Sequence, residues 1–340
     1  VPHSTPPQER TTAAPPAVGS PAVPSPIPPG SVRRWRRPSP VVLLVALLGL
    51  GGLALLQLPG IATWFSQREY SREIIELNRS TGSANAAARA AELAAARDYN
   101  ERLTGAAVVA AGERIPQAVD SAGGSEYAGL LASDPTGLMA RIKIPKIGVD
   151  LPIFHGTSDA VLEQGVGHLE GTALPVGGPT THTVLTGHRG LARAELFDNL
   201  DRLTPGDTFT IEVWGEVLTY RVSDTRVVQP DETESLFPVL GKDLATLITC
   251  TPLGINTHRI LVTGERITPT PQADLDAAGA EPTVPGFPWW LVGAAASVLG
   301  VAGYVVVSCR VPRGAAARRG AGSSRGAHAA PGARAAALSD

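Results

Sequence analysis

Two stretches of the chain are apolar and free of charge. Residues 41–58 read VVLLVALLGLGGLALLQL, with Gln57 the only strongly polar position, and residues 289–308 read WWLVGAAASVLGVAGYVVVS. A helix that crosses a bilayer needs about 20 mainly apolar residues, about 17 at the least. Both stretches therefore predict membrane spans, over 41–58 and 289–309. Between them the pattern changes twice. Residues 85–103, NAAARAAELAAARDYNERL, are rich in Ala, Glu and Arg and predict a helix, read as a solvated stalk. From residue 138 onward, runs such as ARIKIPKI, THTVLTG, DTFTIEVWG, LTYRVSDTRVV, ATLITC and RILVTGERI are β-branched and alternating, with Gly, Pro and Asp turns between them. Short strands spaced in this way predict a mainly β domain, a closed barrel or a sandwich, with one short helix near 194–203.

The resulting division is a disordered, Pro/Ser/Thr/Ala-rich arm over 1–40, a span over 41–58 and a helical segment over 59–137. The β domain follows over 138–268, then a Pro/Gly/Asp-rich linker over 269–288, the second span, and a basic tail over 310–340. Charge then sets an orientation. Arg33, Arg34, Arg36 and Arg37 precede the first span; Arg310, Arg313, Arg318, Arg319, Arg325 and Arg334 follow the second. Arg-rich flanks stay in the cytoplasm, so both ends point inward and the middle lies outside. Residues 41–309 hold 18 basic against 29 acidic side chains. Trp64 and the Trp289/Trp290 pair fall at the outer edges of the spans, where interfacial aromatics belong. Some 40 residues precede the first span and no A-x-A site follows it, which favours an uncleaved anchor over a signal peptide.

Composition excludes several classes. Of 340 residues, 43% are hydrophobic, too many for a wholly disordered chain. Two cysteines exclude a disulfide-dense scaffold and a four-thiolate metal site. A net charge of −2 argues against nucleic acid as a partner and leaves the basic tails to membrane lipid.

Cys309 falls at the inner end of the second span, which leaves Cys250 as the one thiol of the external domain. Such a thiol is either reactive or a buried, inert residue. Cys250 ends the run ATLITC and precedes Thr251-Pro252-Leu253-Gly254, a position at the rim of a β domain. The thiolate is the nucleophilic form and the free pKa is about 8.5, so a reactive Cys needs a cationic or acid–base neighbour. His188, in TGHRG, also ends a β run. Arg259, in NTHR, opens the strand after the Cys loop, where antiparallel pairing would set it beside Cys250. Arg stays protonated and serves as no base, but it can hold a carbonyl oxygen that becomes negative.

Three phrases carry a resemblance to a known family. LPIFHGTSDAVLEQGVGHLEGTALPVGG lies at 151–178, VLTGHRGLARAELFDNLDRL at 184–203 and TLITCTPLGINTHRILVTGERI at 246–267. Together they resemble the class C sortases, the pilus-assembling cysteine transpeptidases of Gram-positive bacteria. The resemblance covers about 130 residues; TLxTC with TGHRG about 60 residues upstream and NTHR just after is highly specific. It implies a sortase-type closed β-barrel, with Cys250 as nucleophile, His188 as general acid and Arg259 as oxyanion stabiliser. It also implies an LPXTG-type sorting signal as substrate and a pilin Lys amine as acceptor, with no cofactor and no metal. Class C members carry a lid with an Asp-Pro-aromatic signature; here Asp134-Pro135 stands in that role, with Thr136 where the aromatic would be.

Rival readings share part of this chemistry. A sortase that anchors surface proteins to a peptidoglycan amine differs only in its second nucleophile. A surface barrel without catalysis predicts that Cys250 is dispensable. A papain-like protease is excluded by the order of the residues, because Cys250 follows His188. His155, His168, His182 and His258 form no recognisable zinc pattern and read as structural or loop-positioning. Asp198 and Asp201 read as a solvated helix face, and Gly49, Gly51 and Gly52 as weak signals of helix packing in the membrane.

Overall fold

The computed structural model describes residues 37–103, 124–191 and 194–310; the arm and tail expectations for 1–36 and 311–340 lie outside these residues. Residues 44–303 make one compact unit, and the remaining described residues belong to a second.

Helix α1 (Pro40–Ser83) contains the first apolar run but does not end with it. It continues through Pro59 for 44 residues in all. Beyond Trp64 it changes character. Glu69–Arg72 and Glu76–Arg79 pair one turn apart on its exposed side, while Tyr70, Ile74, Leu77 and Thr81 recur at helical spacing on its buried side. Helix α6 (Trp289–Ser308) is the second apolar run. Both helices are long and apolar enough to cross a membrane. Gln57 of α1 donates from Nε2 to Ser297 Oγ of α6 at 3.4 Å. A Cβ at Gly293 would lie 2.7 Å from Gln57 Oε1, so the glycine that permits close approach is Gly293. Gly49, Gly51 and Gly52 have nothing within 4 Å of their Cβ positions.

Helix α2 (Ala86–Arg102) begins at Asn85, whose side chain accepts from Ala88 N at 2.8 Å. It is not the solvated stalk expected from its composition. Leu93, Ala96 and Tyr99 are buried in the main core, and Asn100 brackets the backbone of Leu174 with bonds of 2.7 and 3.0 Å. The small Ala side chains weaken the periodic signal while letting the helix pack closely. A short helix α3 (Gly124–Gly129) then leads toward the sheet.

Eight strands close a barrel in the order β1-β2-β3-β4-β7-β8-β6-β5. They are β1 (Leu138–Ile144), β2 (Val149–His155), β3 (Val166–His168), β4 (Thr181–Thr186), β5 (Thr208–Val213), β6 (Glu216–Val228), β7 (Asp243–Thr251) and β8 (His258–Arg266). Two were illegible in the sequence. β2 contains Pro152 and is buried almost throughout, so it shows no alternation, and β3 is three residues long. The expected helix near 194–203 is a single 3-10 turn at Leu200–Arg202. Helix α4 (Asp159–Gln164), capped by Ser158, connects β2 to β3.

The pairings give the strands a direction. β1, β4, β6 and β7 run one way, and β2, β3, β5 and β8 run the other. We call the end where β4, β6 and β7 finish the upper rim. The interior is filled by Ile142, Ile211, Leu247, Val262 and the stacked pair Phe209/Tyr220, whose ring centroids are 5.5 Å apart.

Residues 269–288 are a docked strap rather than a free linker. Thr219 donates to Asp274, Lys143 to the Ala277 carbonyl and Arg141 to the Ala280 carbonyl. Arg141 is 1% exposed and grips Asp150 with two bonds of 2.6 and 2.7 Å, a buried charge held by a full set of partners. A five-residue helix, α5 (Gln272–Asp276), lies in this strap.

Near the lower rim three histidines serve as internal fasteners. His168 is fully buried, with Tyr127 Oη at 2.8 Å from Nδ1 and the Ala173 carbonyl at 2.9 Å from Nε2. Burial pushes its pKa down to about 4. His155 and His182 are shifted down for the same reason; the His155 nitrogens face the Gly137 and Leu130 carbonyls, of which the neutral ring can donate to one, and those of His182 face the Phe237 carbonyl and the Thr246 hydroxyl.

Candidate active site

Cys250 is the penultimate residue of β7, and its cross-strand partner in β8 is Arg259. Directly opposed residues of an antiparallel pair project to the same face, with Cβ atoms about 4.5–5.5 Å apart. The next strand continues the row, because Val228 of β6 pairs with Arg259. On its other side β7 runs parallel to β4, with Thr186 opposite Ile248. The ladder extends one bond further, from Gly187 N to the Ile248 carbonyl at 3.1 Å, and Thr249 Oγ1 donates to the Gly187 carbonyl at 2.7 Å. His188 follows at once, two residues beyond Thr186 as Cys250 is two beyond Ile248. The upper rim thus gathers His188, Cys250 and Arg259 from three adjacent strand ends.

Alternation along β7 decides which way the thiol points. Ala245 and Leu247 belong to the interior core, while Ile248 packs in a separate cluster with Leu169, Val184, Leu236 and Leu261. Cys250 has the parity of Ile248, so it projects from the outer wall of the barrel. There it packs against Leu162 of α4 and is 6% exposed. Beside it runs a depression lined by Gln229, Thr233, Leu236, Ile248, Arg259 and Leu261. Arg259 is 3% exposed and donates from Nη1 to the carbonyls of Asn256 and His258 at 3.0 and 3.1 Å, which holds its guanidinium against the Cys loop.

The His188 loop is built from its own backbone. Its carbonyl accepts from Phe197 N at 3.0 Å. Asp198 closes the loop by accepting from Gly190 N at 2.6 Å and Leu196 N at 2.8 Å. Arg189 then ties the loop to the Cys strand. Its Nε donates to the Asp198 carbonyl at 3.0 Å, its Nη1 to Thr251 Oγ1 at 3.0 Å and its Nη2 to Asp201 at 2.9 Å. Asp198 and Asp201 are therefore not an idle solvated face, as their spacing suggested; both are committed to this loop. Gly190 has φ +72°, and a Cβ there would meet Leu253 of the Cys loop at 2.7 Å, so the two loops touch where only Gly fits. Arg189, Thr249, Thr251 and Leu162 were missed by sequence reasoning, because no local pattern says which strand ends become neighbours.

Asp134-Pro135, read from the sequence in the lid role, belongs to a local turn. It lies in the turn before β1, and β1 begins at the lower rim, the opposite end of the barrel from Cys250. The Asp134 carboxylate accepts from Thr136 N at 2.8 Å, Thr136 Oγ1 at 2.6 Å and Leu138 N at 3.3 Å. This is an Asx turn, the ordinary use of Asp before Pro in a loop. Among the described residues no group of three or more His, Cys, Asp or Glu is arranged to hold a metal ion.

Known proteins share both the fold and the sequence of this domain. A protein-family model described as the sortase domain matches residues 142–267. The chain is 51% identical to sortase C-1 from Actinomyces oris over 53% of its own length and 98% of that crystallised chain, with a TM-score of 0.50. Against sortase C1 from Streptococcus agalactiae the figures are 40% identity, 58% and 100% coverage, and a TM-score of 0.54. Sortase D of Bacillus subtilis is 32% identical over 130 residues, which are 37% of this chain and 63% of that protein. The chain spans less than two thirds of the length of the relatives it matches by sequence.

The fold and these matches define a closed β-barrel of the sortase type. The chain belongs to the sortase family, and its structural neighbours include class C sortases from Actinomyces oris, Streptococcus pneumoniae and Streptococcus agalactiae.

Proposed function

We propose that the protein is a membrane-anchored transpeptidase that joins pilin subunits, with its barrel outside the cell and Cys250, His188 and Arg259 as the catalytic residues. The observation that carries the proposal is the Cys250–Arg259 cross-strand pair beside the His188 loop. In the first step the Cys250 thiolate attacks the Thr carbonyl carbon of an LPXTG-type signal. The Thr–Gly amide bond breaks, His188 gives a proton to the leaving Gly nitrogen, and a thioacyl enzyme remains. Arg259 holds the carbonyl oxygen while it is negative. In the second step a Lys amine attacks the thioester, the C–S bond breaks, the thiolate is restored and the amine proton passes to His188. The product is an isopeptide bond.

Pilin as the acceptor is favoured over peptidoglycan by the neighbours. The sortase C structure from Streptococcus pneumoniae is one that bears on pilin substrate specificity, and one group B streptococcal neighbour is the sortase C1 of a pilus island. The anchoring is supported by the length and apolar character of α1 and α6.

The test is intact mass spectrometry of the protein with an LPXTG-type peptide, beside Cys250→Ala. An adduct equal to the peptide up to its Thr, present only with Cys250, is the expected result. Its absence across several sorting-motif variants would leave a surface barrel without catalysis as the better account. Addition of Lys-bearing pilin or of a peptidoglycan amine then separates the two acceptors by which one discharges the adduct.

A further inference from the structure

Two separate segments decide which end of the barrel lies next to the apolar helices. The first is α1. Its residues Gln67, Tyr70 and Ser71 line a cavity of about 290 Å³ together with the β1–β2 turn and the Glu195–Asn199 limb of the His188 loop, all at the upper rim. About three turns further on, Leu77, Asn78 and Thr81 face the β5–β6 hairpin at Trp214 and Gly215, at the lower rim. The helix therefore passes the barrel with its apolar end beside the upper rim.

The second segment is the strap, which runs the opposite way. It leaves β8 at the lower rim and climbs by successive bonds. Glu212 accepts from Gly279 N at 3.1 Å, Arg141 donates to the Ala280 carbonyl at 2.7 Å, Ser71 donates to the Thr283 carbonyl at 3.4 Å, and Trp64 Nε1 donates to the Gly286 carbonyl at 3.1 Å. Helix α6 starts three residues later. Trp64, Phe65 and Trp290 gather there, with ring centroids 5.0 to 6.3 Å apart, and Arg68 lies over Trp64. Aromatic clusters of this kind mark a bilayer interface.

We infer that the barrel stands with its upper rim, the end that carries Cys250, His188 and Arg259, turned toward the lipid surface. This rests on the membrane anchoring proposed above. Trp64 and Ser71 are seven residues apart on one helix, which at 1.5 Å per residue is about 10 Å. The catalytic rim thus lies within about 10–20 Å of the headgroups. An extended chain covers about 3.3 Å per residue, so a polypeptide rising from the bilayer reaches the rim in about three to six residues. Leu253 and Ile255, on the loop after Cys250, are 60% and 69% exposed at this rim. The partner that the surface fits is a lipid bilayer.

The experiment uses the full chain with Cys250→Ala and Cys309→Ala, which removes the proposed chemistry from the readout. Single cysteines are introduced at exposed positions of the upper rim (Pro205→Cys, Gln229→Cys) and the lower rim (Pro179→Cys, Lys242→Cys), then labelled with a fluorophore. The protein is placed in phosphatidylcholine/phosphatidylglycerol vesicles that carry a nitroxide quencher on the headgroup. We expect quenching about threefold or more greater for both upper positions than for both lower ones. Equal or reversed quenching in protein that floats with the vesicles would overturn the orientation alone. Protein that fails to float would overturn the anchoring and the orientation with it, while the acyl-transfer reading stands or falls on the mass measurement. Two positions per rim guard against one substitution that disturbs its own loop.

Discussion

The Arg189 guanidinium donates to the Thr251 hydroxyl at 3.0 Å, which binds the residue after His188 to the residue after Cys250. One side chain thus sets the spacing between the proposed acid and the proposed nucleophile. Its other bonds go to Asp198 and Asp201 within the His loop. Arg189→Ala removes all three, and a misplaced group costs up to about 100-fold in rate. The expected outcome is a kcat about 10- to 100-fold lower with KM little changed. Arg189→Lys recovers little, since one ammonium does not reproduce a planar fork. The pH profile of Cys250 alkylation should shift as well; a defect that only reduced the amount of folded enzyme would leave that profile in place.

Arg259 tests the proposed oxyanion role. Replacing it with Lys keeps the charge and loses the two carbonyl bonds that orient it. Loss of a preorganised oxyanion donor costs about 100- to 1000-fold. Acylation by a sorting-signal peptide should fall by that order, while Cys250 still reacts with a small alkylating reagent. Equal loss of both reactions would point instead to a collapsed site.

Asp134→Ala separates a turn from a lid. It removes the acceptor of three local bonds, at a cost of about 1 kcal/mol each or less in net stability. The Cys250 alkylation rate should be unchanged, because the turn lies at the other rim. A rate that rises in the variant would restore a covering role.

Buried histidines make stability depend on pH. His168 has a folded pKa of about 4 against an ordinary 6.5. The folded state therefore holds fewer protons than the unfolded state between these values, so its stability is full above the ordinary value and falls as pH drops toward the lower one. The slope is at most about 1.4 kcal/mol per pH unit for one such group. His155 and His182 are shifted in the same direction. Thermal or urea midpoints of the full chain in detergent should be lower at pH 5 than at pH 7.5. His168→Gln should flatten the difference, and a midpoint independent of pH in the unaltered protein would refute the account.

Much of the protein was legible in one dimension because the signals are local. A run of 18 or more uncharged residues marks an apolar helix whatever surrounds it. Alternation in TFTIEV and the β-branched run in RILVTGER mark strands with no knowledge of their partners, and the site phrases around Cys250, His188 and Arg259 are contiguous. Parity also survives in sequence: Cys250 and Arg259 end and begin neighbouring runs, and antiparallel pairing follows from the short loop between them.

The tertiary structure decided what depends on contacts distant along the chain. The Ala-rich helix gave no sign of its buried face, because its contacts come from a core that forms elsewhere. The Pro-rich strap looked like a spacer, yet its backbone carbonyls and amide groups are satisfied by Arg141, Lys143 and Glu212, residues more than 60 positions away. Asp134-Pro135 shares its residue types with a lid motif, but strand direction sends it to the far rim. Arg189 reads as an ordinary loop charge until β4 and β7 lie side by side. Six of the eight strands, both apolar helices and the residues proposed for the chemistry are legible in neighbouring side chains. The distances between those residues come from the closed barrel alone, since strand order, direction and register arise from pairings across the whole chain.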